Sequence, residues 1–548
     1  MTAVAGVLTF LAVLGPLVIL HELGHLIAAR LMKVKVIEFG FGFPPRAFGL
    51  WTGRTRVRID PETLFDEPLS PGELPVGREI GVVTVKDAQG GLVARHVSLA
   101  GDRPKGAAGL VFGKLRAAGQ DYLEIAEMVW SFNWLPLGGF VKMVGEEDPS
   151  AEGSLAGKSR LARAFVLVSG AGVNAIIPFI LFAAIFIVPQ ERVIGRVMIT
   201  GTMPGSPAEA AGLREGDLVR KVDGRAIEAI IDLQQAVTIR LGAESRWDVQ
   251  RGIPDPAPEP GGPRFQYRDE TETITVVPRW KPPVRDIVLD PVDPDTQIAL
   301  WRAREVDPAV GISNSLLVVD VDEAQDTARE ISLRDAQRLD PGIREGDTLR
   351  VVLEVTDPLT QILITDARRH DSSLGLTTRL REGAVGITIA MTSPVRERSG
   401  MAPWTAVAAA VRQVGDVLVL TKNGITGVVV GSSNPQLEGP TTIGPVGIGQ
   451  LTGEIATSDA GSSAKVLTLV SLAATLSLSL AIINILPVPA LDGGRLLFVI
   501  IEWARGGKRI SPEREGLVHL AGMIMILVLV ALISVQDVLR IFRGERFF

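Results

Sequence analysis

Hydrophobic residues gather in four stretches long enough to cross a bilayer, and polar, strand-like sequence fills the gaps between them. The first stretch, Ala3 to Leu20, reads AVAGVLTFLAVLGPLVIL without a charge and continues as HELGHLIAAR to Arg30. It is too long for a signal peptide, no basic segment precedes it and no A-x-A site follows, so a retained span is expected, bent at Pro16. The second, AFVLVSGAGVNAIIPFILFAAIFIV, runs from Ala164 to Val188 behind Lys158, Arg160 and Arg163. Its Gly170 and Gly172 suit close helix packing, and Asn174, alone in an apolar helix, calls for a partner. The third, 464–503, is interrupted by Asn484, Pro487, Pro489 and Asp492-Gly493-Gly494. Two prolines forbid a continuous helix, and broken backbone at membrane depth is tolerated only when buried in protein or lining a polar cavity. The last runs from Gly516 to Ile541. WTAVAAAVRQVGDVLVL, within 404–431, has an amphipathic helical pattern expected at the membrane surface, and a glycine-rich connection, 437–450, follows it.

Between the spans the period changes. Residues 34–58 (VKVIEFGFGFPPRAFGLWTGRTRVR) alternate apolar and small residues and read as strands and turns, with Gly40 and Gly42 allowing close backbone approach. A partner segment, WSFNWLPLGGFVKM, arrives at Trp130 to Met143. The polar stretch 60–127 between them, with a hairpin in GVVTVKDAQGGLVARHV, reads as an insertion at a sheet edge. Residues 190–400 are soluble in composition and repeat internally: GLREGDLVRKV (Gly212–Val222) returns as GIREGDTLRVV (Gly342–Val352). PGSPAEAA before the first copy and DGRAI after it resemble a PDZ domain, and RGIPDPAPEPGGPR (Arg251–Arg264) is a proline-rich loop.

Charge adds little. Net charge is −6 over 548 residues, which gives no reason to expect nucleic acid. The absence of cysteine matters more, because it removes disulfides and thiolate chemistry and leaves only nitrogen and oxygen to hold a metal. The histidines are His21, His25, His96, His370 and His519.

HELGH, His21 to His25, is where these patterns meet. Two histidines four apart share one helix face and can bind one metal ion, while Glu22 stands beside them as a general base. Ionisable residues inside a span are costly, which marks these as functional. For a third ligand, His96 and His370 fall in polar regions and read as surface residues, and His519 at the start of the last span is a rival. Asp492 is preferred: it is an acid on a break in a span, flanked by glycines, and two histidines with one carboxylate leave zinc an open position. The bland alternative pairs Asp492 with Arg495. Basic residues after the first span (Arg30, Lys33, Lys35) and after the third (Arg505, Lys508, Arg509, Arg514) make those loops cytoplasmic, so 190–460 faces outward, although the short tail with Arg540, Arg543 and Arg546 disagrees.

HELGH, FGFGFPP, LPLGGFVKM, GAGVN, the PDZ-like pair and NILPVPALDGG together resemble the site-2 proteases, intramembrane zinc metalloproteases, of the bacterial regulator of sigma-E protease type with PDZ domains. Ala171 stands where that family's second-span motif usually has proline. The resemblance implies a polytopic α-helical membrane protein of about four spans, with a membrane-associated β-sheet region and two extracytoplasmic PDZ-like α/β domains. It would lie in the cell's inner (plasma) membrane with its active site toward the cytoplasm. The divisions expected are 1–32, 33–160, 161–189, 190–285, 286–400, 401–463, 464–504 and 505–548. The resemblance also implies that His21, His25 and Asp492 bind Zn2+ and that Glu22 activates water. Asn484 would contact an unwound substrate, which would add as a strand to the segment holding Leu137, Gly138, Gly139 and Phe140. Substrates would be single-span membrane proteins, such as an anti-sigma factor or signal-peptide remnant, already trimmed by another protease. A non-catalytic PDZ-bearing scaffold is the alternative; a transporter would need inverted repeats, and none is visible.

Overall fold

The computed structural model describes residues 2–66, 74, 76–88, 90–99, 110–145, 153–203, 205–255, 265–291, 299–305, 315–319, 376–381, 383–431 and 443–542. The second repeat copy, 342–352, and His370 lie outside the described residues. Helices in chain order are α1 (Thr2–Leu31), α2 (Arg160–Ile187), α3 (Pro207–Ala210), α4 (Ile230–Ile239), α5 (Pro403–Val430), α6 (Pro445–Thr457), α7 (Ser462–Ile485), α8 (Asp492–Ala504) and α9 (Pro512–Phe542). Two compact units divide the chain: residues 1–188, 401–414 and 442–548, and residues 189–400 with 415–441.

Among the described residues five helices are long and apolar enough to cross a membrane, one more than the sequence pattern suggests. The addition is Pro403–Gly427 within α5, whose mean hydropathy of 1.2 is the lowest of the five because Arg412, Gln413 and Asp416 interrupt it. α1 runs unbroken through Pro16. Ser159 caps α2, its Oγ accepting from the Ala162 N–H. Helix stops at Ile485, the chain turns through Leu486–Leu491, and α8 restarts at Asp492. In that turn a side chain on Gly493 would meet the carbonyls of Leu486 and Ile485, and one on Gly494 that of Val488. Only glycine lets the chain fold back so tightly.

Strands Val36–Thr52 and Met128–Met143 form one sheet in the first unit. Residues 36–41 pair on one side with 139–143 and on the other with 129–132, which in turn pair with 48–51. Residues 139–143 are therefore an outer segment. Leu26, Ala29, Val36, Phe39, Met128, Met143 and Val166 pack together where this sheet meets α1 and α2.

The stretch expected to be a sheet-edge insertion is instead a closed barrel with its own core. Thr55–Arg58 pairs with Tyr122–Ala126 on one side and, through Arg58 and Val93, with Leu92–Leu99 on the other, which closes the ring through Leu110–Ala118 and Glu79–Lys86. Val57, Ile80, Val82, Val97, Leu115, Leu123 and Ile125 fill it. Closure rests on pairings across long stretches of chain, which strand-by-strand alternation does not reveal.

In the second unit a sheet runs Glu272–Val276, Ser245–Gln250, Leu218–Val222, Gln190–Thr202, Ile387–Ser399. Trp247, Leu233, Val219, Ile199 and Val385 lie in its core with α3 and α4 residues. The GLREGD copy forms the turn into Leu218–Val222: Arg251 Nη1 donates to the buried Asp217 carboxylate at 2.7 Å and to the Gly212 carbonyl at 2.8 Å. Ile387–Ser399, at the end of the expected division 286–400, returns to pair with Gln190–Thr202 in this first sheet. Residues 284–291, 299–305, 315–319 and 376–381 make a separate four-stranded sheet.

Candidate metal centre

His21 and His25 stand one turn apart on α1, both buried, with ring centroids 4.9 Å apart. Their Nε2 atoms approach to 3.2 Å. Asp492, on the first turn of α8, brings Oδ2 to 3.2 Å from His21 Nε2 and 3.1 Å from His25 Nε2. No other set of three or more His, Cys, Asp or Glu among the described residues could hold a metal ion.

The chemistry of this triangle selects a cation. His25 Nδ1 lies 2.8 Å from the Val166 carbonyl, which can only accept, so the ring proton sits there and Nε2 presents a lone pair. That lone pair faces a carboxylate oxygen. Tetrahedral zinc ligands 2.0–2.1 Å from the ion stand about 3.3–3.4 Å apart, close to the observed edges. Two imidazoles and one carboxylate thus fit a divalent ion with a fourth position open.

Glu22 is half-buried beside this cluster. The Val141 backbone hydrogen-bonds to it, and a side chain on Gly139 would come within 3.0 Å of its Cγ. The outer segment of the sheet therefore runs directly past the carboxylate. Leu137, Gly138, Gly139 and Phe140 all lie on Met128–Met143. Gly138 has φ of +86°, and the Phe140 ring covers Gly40 so closely that a Cβ there would displace it. Asn484 sits half-buried in the last turn of α7, before the break.

The rival histidines are employed elsewhere. His96 Nε2 bonds Asp66 at 2.7 Å in the barrel unit. His519 Nδ1 accepts from the Ala490 N–H at 2.9 Å and so steadies the turn before Asp492, where Ala490 adopts a φ of +78°.

The sequence reading missed the contribution of α2. Val166, Gly170 and Asn174, four residues apart, form one stripe behind the imidazoles. Val166 accepts from His25, and Asn174 Nδ2 lies 3.2 Å from His21 Nδ1. A Cβ on Gly170 would fall on His25 Nε2 and within 2.8 Å of His21 Nε2. Its spacing was visible in SGAGVN, but it reads equally as helix packing.

The model of peptidase family M50 matches residues 9–60 and 122–529, leaving out most of the barrel. A candidate zinc metalloprotease of Thermotoga maritima is 22% identical, covering 96% of this chain and 98% of its own length. One from Agrobacterium fabrum is 24% identical, covering 75% of this chain and 81% of itself. Zinc metalloprotease RasP of Bacillus licheniformis is 43% identical over 99 residues, 18% of this chain and 22% of that protein. With the family model matching well over half its length on both sides of the barrel, the chain belongs to peptidase family M50.

Proposed function

We propose that the chain is a multi-pass intramembrane zinc metalloendopeptidase acting on single-span membrane proteins. The observation that carries the reading is the convergence of His21 Nε2, His25 Nε2 and Asp492 Oδ2 within 3.2 Å, with Glu22 alongside. His21, His25 and Asp492 hold the ion, as the zinc-protease names of the relatives support. Bound there, zinc supplies a Lewis acid that polarises the scissile carbonyl and lowers the pKa of water. Glu22 takes the proton from the attacking water and delivers it to the leaving amine.

A helical substrate hides its peptide bonds, so it must be extended before attack. Gly138 to Val141 offer an outer strand segment beside Glu22, on which an unwound segment is held by β-addition, and Leu137 and Phe140 belong to the same strand. Asn484, ahead of the break, contacts the substrate backbone. The distribution of basic residues supports an active site toward the cytoplasmic face of the inner membrane and residues 190–400 outside, where the PDZ-like region would screen substrates already trimmed.

Cleavage of a model single-span substrate by the full-length protein tests this. The wild type cuts it, a zinc chelator stops it, zinc restores it, and Glu22→Gln keeps the metal without cutting. Turnover by Glu22→Gln or in chelator overturns the reading.

A further inference from the structure

We infer that Asn174 is a positioning residue for the metal centre: its side-chain carbonyl, turned toward His21 Nδ1, fixes the imidazole tautomer that leaves His21 Nε2 free to bind the ion. The inference rests on the proposed zinc site and deepens it.

The two histidines differ in what holds them from behind. His25 is locked by a backbone carbonyl, that of Val166, which forces the ring proton onto Nδ1. His21 has the Asn174 amide instead, and an amide can either donate or accept. With Nδ2 donating to His21 Nδ1, the proton would be forced onto Nε2, the atom that faces His25 Nε2 and Asp492. A half-turn of the amide exchanges its two ends and brings Oδ1 to Nδ1, where it accepts the ring proton. Oδ1 has no other hydrogen-bond partner among the described residues, although Asn174 is fully buried, so no bond opposes the turn at that atom. Both rings then present lone pairs to the same point as the carboxylate. Metal-bound histidines generally give their other N–H to such an acceptor, which orients the ring and raises its basicity.

The rest of the stripe is built to hold this amide still. Ser477 Oγ on α7, itself buried, donates to the Asn174 backbone carbonyl at 2.9 Å. One turn earlier, Gly170 lets α2 approach until the amide reaches the ring. Asn174 therefore links α1, α2 and α7 at His21, which among the described residues has this amide where His25 has a backbone carbonyl.

Zinc affinity of the full-length protein in detergent, measured by competition with a chromophoric chelator, tests this with Asn174→Asp and Asn174→Leu. Asparate keeps the shape and can accept; leucine keeps the bulk and cannot. Asn174→Leu is expected to weaken zinc about 10–100-fold, the usual cost of losing such a support, while Asn174→Asp stays within about threefold of wild type. A residue that only packs would do the opposite, tolerating leucine and rejecting a buried charge. Leucine binding as tightly as wild type overturns the inference, as does a tenfold or greater loss in Asn174→Asp. If the leucine variant does not fold, the aspartate variant decides alone. A wild type that takes up no zinc overturns the site reading itself, which is a different result.

Discussion

α1 and the α7–α8 break deliver the proposed metal donors in opposite ways. α1 uses plain helical periodicity: two imidazoles four residues apart need only an unbroken turn, and the helix continues even through Pro16. The carboxylate arrives from a place where periodicity fails. Ile485 ends one helix, six residues turn, and Asp492 opens the next. A regular helix sends side chains out around one fixed axis, whereas a break resets where and in which direction the next helix starts, and Asp492 lies on the first turn of that helix. The break is thus the dearer device, and it is held by Gly493, Gly494 and His519. Damage to the scaffold of α1 should therefore be tolerated better than damage to the scaffold of the break.

Removing the proposed general base sets the upper limit of effect. Glu22→Gln should lower cleavage by about 10²–10⁴-fold with zinc content unchanged, read by steady-state turnover and metal analysis. On the other side, Gly493→Val places carbon atoms against the Leu486 and Ile485 carbonyls and must open the turn. A displacement of about 1 Å at Asp492 should cost about 100-fold in turnover, and an unaffected variant would mean that the break is not what aims the carboxylate. His519→Ala, which removes the acceptor of the Ala490 N–H, should weaken zinc about tenfold and destabilise the protein by about 0.5–1.5 kcal/mol, read by chelator competition and thermal unfolding. Pro16→Ala should do least. It restores a backbone donor to a helix that is already continuous, so zinc affinity should stay within about twofold.

Much of this division was legible in the residues. HELGH inside an uncharged stretch puts two candidate donors and a candidate base on one helix, and Pro487, Pro489 and Gly493-Gly494 mark the break that carries Asp492. Preference for Asp492 over its rival His519 follows from the cost of an acid in a span, whereas nothing in the residues signals that His519 accepts from the Ala490 N–H. The α2 stripe was not legible as a support, because a backbone carbonyl such as that of Val166 has no sequence signature and meets its histidine across 141 residues. Barrel closure through Arg58 and Val93, and the return of Ile387–Ser399 to pair with Gln190–Thr202, were hidden for the same reason. Local patterns name strands; they do not name partners that lie far along the chain. The α5 segment shows the opposite failure, since its polar interruptions suggested a surface helix where length and hydropathy also allow a crossing.

The central claim is that one ion joins α1 to α8. Zinc stoichiometry and affinity of the full-length Asp492→Asn variant, measured beside wild type, test it most directly. The account predicts one tightly held zinc in the wild type and no stoichiometric zinc in the variant at the same free-metal concentration. One zinc per chain in Asp492→Asn, bound as tightly as in the wild type, would contradict it.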